Sequence, residues 1–134
     1  MKARILAVGA LLLIGLAASN ASAHHSFPSE FDLRQKVHLQ GTVVQFEWSN
    51  PHTWISLDIE VDGHTERWRI QGGAPSALLR RGWNRDMLPT GTAISVNAFR
   101  ARDGSRTAGA QDVVLSGGRK MSLGNPTIDA VVGY

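Results

Sequence analysis

Five histidines are the side chains of this sequence best suited to hold a transition metal, and two of them are adjacent. His24 and His25 follow a stretch of small residues, whereas His52 lies in a Trp-Ser-Asn-Pro-His-Thr-Trp segment. Imidazole nitrogens are good ligands for copper and for the metals next to it in the series. The sequence therefore predicts a metal site formed by His24, His25 and His52, with copper as the candidate cofactor.

Residues 1–23 have the features of a secretory signal peptide. Two basic residues near the start precede an apolar run over 5–18, and Ala21-Ser22-Ala23 supplies the small residues that signal peptidase recognises. The apolar run is too short to span a bilayer core of about 30 Å comfortably. We therefore expect a periplasmic or secreted protein whose mature chain starts at His24, with an uncleaved membrane anchor as the alternative.

The position of the cut decides the copper chemistry. A cut after Ala23 gives His24 a free α-amine, which can bind one ion together with its imidazole as a histidine brace. A cut after Ala21 leaves Ser22-Ala23-His24, whose amine, two backbone amides and imidazole suit square-planar Cu(II). Either product can bind copper; the alternative is a solvated His-His terminus that holds no metal.

A second candidate site surrounds the turn between the first two predicted strands. Pro51 restricts its own backbone and that of Asn50, so His52 is held at a turn. Trp48 and Trp54 flank that turn, and an indole can stack on a flat ligand. The predicted ligand-binding residues are Trp48, Asn50, His52 and Trp54. In the alternative interpretation, the tryptophans only cover the end of a small barrel.

The remaining polar features carry weaker predictions. Arg80, Arg81 and Arg85 could grip an anion, but arginines on a short helix are more often solvated or paired with carboxylates. His38 and His64 are expected to be ordinary surface residues. No catalytic residue is predicted, since the sequence contains no cysteine and none of the familiar hydrolase, zinc-protease, phosphate-loop or dinucleotide signatures.

The elements that must position these residues are mainly strands. Asp62-Gly63 is a two-residue hairpin signal, and Gly41 should mark a bend or bulge in the first strand. Pro75 and Gly82 bound a short helix. Alternation of apolar and polar residues predicts five strands, within 37–43, 55–61, 65–70, 93–99 and 112–115.

This order predicts an all-β domain with one short helix, a five-stranded Greek-key barrel of the OB-fold type. A sandwich or an open roll would fit the same order of strands. The predicted organisation is a signal peptide over 1–23, an N-terminal arm over 24–36, the barrel over 37–118 and a flexible tail over 119–134.

The net charge of the chain without residues 1–23 indicates which partners to expect. Without the two basic residues of the signal peptide, 12 basic and 11 acidic residues remain, a net charge of +1. Binding to phosphate backbones generally needs a clustered excess of cations. The expected partners are therefore a metal ion or small ligand and an exported protein, with no nucleic acid and, after cleavage of the signal, no membrane.

Several segments together resemble a known family of small exported bacterial proteins, family 6152 of domains of unknown function. The resemblance rests on the His-His-Ser start at His24, the Asn-Pro-His turn at Asn50 and the Arg-Gly-Trp segment at Arg81. It covers nearly all of residues 23–120. The resemblance implies export and a small β-rich domain, and it implies no established activity.

The predicted function is that of an exported binding protein, with a copper carrier, sensor or accessory protein as its sharper form. One alternative is an oxidoreductase that uses the same histidine brace, with substrate lying across Trp48 and Trp54. The other is a module that binds a partner protein through these aromatic residues without any metal.

Overall fold

The computed structural model describes residues 26–124 together with Ile128 and Ala130. The predicted signal peptide, His24, His25 and most of the chain beyond 124 lie outside these residues. Within the described part, no helix is long and apolar enough to cross a membrane. The elements are, in chain order, α1 (Phe27–Glu30), β1 (Phe31–Glu47), β2 (Trp54–Val61), β3 (His64–Gln71), α2 (Pro75–Arg80), β4 (Ala93–Ala101), β5 (Thr107–Leu115) and β6 (Lys120–Ser122).

The strands form one sheet whose pairings return to their starting point. The order is β3-β2-β1-β4-β5-β6, and a parallel pairing of β3 with β5 joins the two sides of the sheet. The first five strands therefore pair in the ring β1-β2-β3-β5-β4-β1, with α2 between β3 and β4. This is an OB-like arrangement, and it confirms the predicted fold class.

Strand β1 is long because it pairs first with β4 and then with β2. Its first part pairs with β4 as far as Thr42, and its last part pairs with β2 from Thr42 to Glu47. The change of partner occurs beside Gly41, where a Cβ atom would overlap the carbonyl oxygen of Asp58. A register shift follows between Val43 and Gln45. The glycine predicted to bend this strand thus lies where the backbone of β2 approaches β1 closely.

The alternation read from the sequence marks the core correctly. Ile55, Leu57 and Ile59 are buried along β2, while the residues between them are half-buried. Asp62 and Gly63 both have positive φ, at 48° and 81°, as the predicted hairpin turn requires. Helix α2 starts at Pro75, and Gly82 follows its end with φ at 86°.

The segment predicted as an N-terminal arm is instead regular structure from Phe27 onward. It forms α1 and the first six residues of β1, so residues 26–124 contain two helices where one was predicted. Phe27 and Phe31 pack together and against Phe99, with the Phe27 and Phe31 ring centroids 4.6 Å apart. The sequence did not reveal this strand because residues 34–36 are all polar and exposed.

The start of the predicted tail is also structured. Residues 120–122 form a sixth strand on β5, where five strands were expected. The indole N–H of Trp83 donates to the carbonyl oxygen of Ser122 at 2.7 Å, and Arg81 donates to the Ser122 hydroxyl at 2.9 Å. These contacts with residues that follow α2 hold β6 in place. With three residues, β6 is too short to show an alternating pattern in the sequence.

Candidate ligand-binding site

The bend between β1 and β2 is anchored to the end of β3. Thr53 is fully buried, and both its backbone N–H and its hydroxyl donate to the carbonyl oxygen of Gly73, at 3.0 and 2.9 Å. The hydroxyl of Ser49 donates to the carbonyl oxygen of His52 at 3.2 Å. Asn50 is exposed at the tip, before the cis peptide bond to Pro51. Hydrogen bonds of Thr53 and Ser49 therefore restrain this bend.

The two tryptophans of the bend have different surroundings. Trp48 packs edge-on against Phe46 with ring centroids 5.6 Å apart, at the margin of the main core. Trp54 lies on the outer face of β2, where the Arg69 guanidinium sits 4.4 Å from its ring centroid. Arg69 is held in turn by Glu47, at 3.3 Å. Trp48 thus has a packing role, whereas Trp54 belongs to a polar surface.

Trp54 also lines a cleft of about 440 Å³. We call it the Trp54 cleft. Its lining combines apolar and polar side chains, as is common in small-molecule sites. The lining residues are Ser29, Glu30, Phe31, Trp54, Ala101, Arg102, Asp103 and Thr107. Trp54 is the one predicted ligand-binding residue among them; Trp48, Asn50 and His52 lie elsewhere.

Arg102 joins the two walls of the Trp54 cleft. Its backbone N–H donates to the carbonyl oxygen of Glu30 at 2.9 Å, and its Nε donates to that of Pro28 at 2.8 Å. These bonds fasten α1 to the loop between β4 and β5. No local pattern in the sequence shows that this loop meets the N-terminal segment.

Local hydrogen bonds lower the pKa values of two carboxyl groups near the cleft. The Ser105 hydroxyl and backbone N–H lower the pKa of Asp103. The Arg34 backbone N–H and guanidinium lower the pKa of Asp32, and Arg102 approaches that carboxylate at 3.8 Å. A ligand in the Trp54 cleft would therefore meet an ionised carboxylate at Asp103 and a guanidinium at Arg102.

His52 is separate from the Trp54 cleft. Its side chain is half-buried, and its Nδ1 atom is buried with no hydrogen-bond partner in the structure. Across residues 26–124, no three His, Asp or Glu side chains converge so that they could hold a metal ion. His24 and His25, the other predicted copper ligands, lie outside the described residues. The described residues alone therefore do not assemble the predicted copper site.

Comparison with known proteins places the chain by fold and family. No curated protein matches it. Among solved structures, the crystal structure of the mitochondrial single-stranded DNA-binding protein Rim1 from S. cerevisiae is similar, with a TM-score of 0.48 and 16% identity. The match covers 61% of this chain and 93% of that one.

This match corrects one prediction about the partners. Nucleic acid was excluded on the ground of near-neutral charge, and that exclusion is wrong as it stands, because the similar structure is that of a protein that binds single-stranded DNA. Net charge alone does not remove nucleic acid from the possible partners. At this level of similarity, the match assigns no ligand to the present chain.

The sequence itself gives the assignment. The family of unknown function DUF6152 matches residues 12–111, which include the bend, β1 to β4 and every lining residue of the Trp54 cleft. The match agrees with the resemblance carried by the His-His-Ser, Asn-Pro-His and Arg-Gly-Trp segments. This chain belongs to that family, DUF6152, with an OB-like β domain.

Proposed function

We propose that the protein is an exported binding protein whose ligand site is the Trp54 cleft. The observation that carries the proposal is the position of Trp54, a half-buried indole in a cleft of about 440 Å³. Arg69 covers part of the ring and fixes its orientation, so little side-chain freedom is lost when a ligand binds. Export is supported by the leader-like residues 1–23.

The lining indicates the class of ligand. Trp54 and Ala101 offer an apolar surface, while Arg102 and Asp103 offer opposite charges. An aromatic ring placed against an indole gains about 0.5–1.5 kcal/mol beyond the burial of apolar area. The ligand we propose is therefore a small molecule with a flat apolar part and a polar or charged substituent.

Substitution of Trp54 tests this site. We expect Trp54→Ala to weaken the binding of anilinonaphthalene sulfonate, a flat aromatic anion, by about tenfold, because stacking and burial together supply at least 1.4 kcal/mol. The measurement is a fluorescence titration of the full mature chain. Because Trp54 lies outside the buried core, the melting temperature should change little.

Two matched variants complete the test. Leu79 is an exposed apolar residue on α2, 57% exposed, so Leu79→Ala reports adventitious binding to apolar surface. Trp48→Ala removes the other indole of the bend, which does not line the cleft. Equal affinity in wild type and Trp54→Ala, or an equal loss in Leu79→Ala, would rule out the Trp54 cleft as the site.

Copper binding is a second candidate, and the buried Nδ1 atom of His52 favours it. A buried imidazole nitrogen without a partner is unfavourable, and coordination to a metal would satisfy it. Phe27 of α1 approaches Gly109 of β5. Gly109 pairs with Gln71 of β3, and Gln71 pairs with Trp54 of β2. The ring of Phe27 is therefore about two strand spacings, roughly 10 Å, from the backbone of Trp54.

The copper proposal predicts loss of stoichiometric Cu(II) binding in two variants. His52→Ala and the double change of His24 and His25 to alanine should each abolish it, since each removes imidazole ligands. His64→Ala is the control, because His64 is exposed and contacts Glu66. Native mass spectrometry of protein purified from the exported compartment reports both the cleavage point and the bound metal. Tight binding retained in His52→Ala would remove His52 from the site.

A further inference from the structure

A row of polar side chains crosses the outside of the sheet, away from the Trp54 cleft. His38 on β1 is the cross-strand partner of Asn97 on β4, which in turn is the partner of Asp112 on β5. His38 Nδ1 lies 2.9 Å from Asn97 Oδ1, and Asn97 Nδ2 lies 2.6 Å from Asp112 Oδ1. Lys120 on β6 approaches Asp112 Oδ2 at 3.2 Å. We call these four residues the His38 network.

The direction of each hydrogen bond follows from the buried carboxylate. Asp112 is 2% exposed and faces the Lys120 ammonium, so its ionised oxygens only accept. The amide NH₂ of Asn97 must therefore point toward Asp112, which turns its carbonyl oxygen toward His38. A carbonyl oxygen only accepts, so Nδ1 of His38 carries a hydrogen. The network thus selects the Nδ1–H tautomer and leaves Nε2 for another partner.

His38 and its neighbours surround a separate cleft of about 320 Å³. The cleft shares no lining residue with the Trp54 cleft. Lys36 and Lys120 line it as well, and the carboxylate of Asp112 is already engaged by Asn97 and Lys120. Lys36 makes no ion pair with any residue in the described part of the chain, and its ammonium lies 6.0 Å from the Phe99 ring centroid. The cleft therefore presents donors and positive charge to a ligand.

We propose that this cleft is a second binding site, which takes a small oxyanion of the phosphate or carboxylate type. The anion favours the cationic imidazole, in which Nε2–H donates to the ligand while Nδ1–H stays bonded to Asn97. Lys36 supplies the second positive charge. Charge-assisted bonds of this kind are about twice as strong as neutral ones. The site is independent of the ligand proposed for the Trp54 cleft.

The tautomer of His38 tests the basis of the proposal. We expect the neutral imidazole to be the Nδ1–H form in long-range ¹H–¹⁵N spectra of the full mature chain at alkaline pH. Asn97→Ala removes the carbonyl acceptor and should shift His38 toward the Nε2–H form that free histidine prefers. An Nε2–H tautomer of His38 in the wild-type protein would overturn the network and the proposal with it.

Titration with inorganic phosphate and, separately, with succinate tests the site itself. At constant ionic strength and mildly acidic pH, at least one probe should bind and shift the His38 resonances. His38→Ala should weaken that binding about tenfold, the equivalent of losing one charge-assisted hydrogen bond. Lys36→Gln should weaken it severalfold.

His64→Ala is the matched control, because His64 is an exposed histidine outside the cleft. It should bind the probes like the wild type. The proposal is overturned if neither probe binds, if His38→Ala binds as tightly as wild type, or if His64→Ala loses as much affinity. Binding of phosphate alone or succinate alone, with loss in His38→Ala, supports the site and distinguishes the two kinds of oxyanion.

Discussion

Replacing Gly41 by alanine is expected to destabilise the domain by about 3 kcal/mol or more. A Cβ atom there would overlap the backbone carbonyl oxygen of Asp58 and lie 2.8 Å from Cγ2 of Ile59. Because Asp58 is paired with Arg67 of β3, its backbone oxygen cannot move aside as the end of a flexible side chain can. The strain therefore falls on the contact between β1 and β2, where β1 changes its partner.

Thermal unfolding followed by circular dichroism measures this effect. A loss of 3 kcal/mol in a domain of this size lowers Tm by about 12 °C or more. Gly117→Ala is the matched control, since a Cβ atom at Gly117 meets nothing within 4 Å. That variant should have the same melting temperature as the wild type. Similar melting temperatures for Gly41→Ala and Gly117→Ala would show that β1 and β2 can separate at this point without cost.

Much of the fold could be predicted from sequence because the relevant signals are local. The strand and core pattern of β2 follows from alternation, the hairpin from Asp62-Gly63, and the limits of α2 from Pro75 and Gly82. Each depends on residues within a few positions of one another. Local signals do not give the order of the strands in the sheet, which had to be predicted from known topologies. The OB-like order was predicted correctly because few topologies accept that sequence of elements.

The parts that sequence analysis missed are those that tertiary contacts define. β1 begins at Phe31 because α1 and β4 hold it, although its residues 34–36 are polar. β6 exists because Trp83 and Arg81 bind Ser122. No local period encodes such contacts. The sheet was therefore predicted shorter than it is at both ends.

The same distinction explains the outcome for the candidate sites. Trp54 was predicted as a ligand-binding residue because it flanks the turn at Asn50-Pro51-His52, which is a local property. Arg102 joins the Trp54 cleft through bonds to α1, about seventy residues earlier in the chain, and nothing near it in sequence indicates this. His38 was expected to be an ordinary surface residue, because Asn97 and Asp112 become its neighbours only when the strands pair.

Replacing Gly109 by alanine is expected to detach α1 and remove the Trp54 cleft while the strands stay folded. A Cβ atom at Gly109 would overlap the ring of Phe27 and lie 2.8 Å from Cδ2 of Phe31. Phe27 belongs to a helix of four residues at the start of the described chain, so it can leave its place. Exposing this buried ring costs about 2 kcal/mol.

The consequence for the ligand site exceeds the loss of stability. Ser29 and Glu30 of α1 line the cleft, and Arg102 contacts α1 through the carbonyl oxygens of Pro28 and Glu30. When α1 leaves, the Trp54 side of the cleft remains without its opposite wall. Anilinonaphthalene sulfonate should then bind Gly109→Ala at least about tenfold more weakly than wild type, a loss of about 1.4 kcal/mol.

A double-mutant cycle with Phe27→Ala separates this mechanism from a general disturbance of β5. If the ring of Phe27 is what the new methyl group displaces, Gly109→Ala should cost less than half as much stability when Phe27 is already alanine. Phe27→Ala alone should also weaken binding of the probe, since α1 loses the ring that anchors it. Additive losses of stability would instead place the damage in β5 itself, and the Trp54 cleft would then have no demonstrated need for α1.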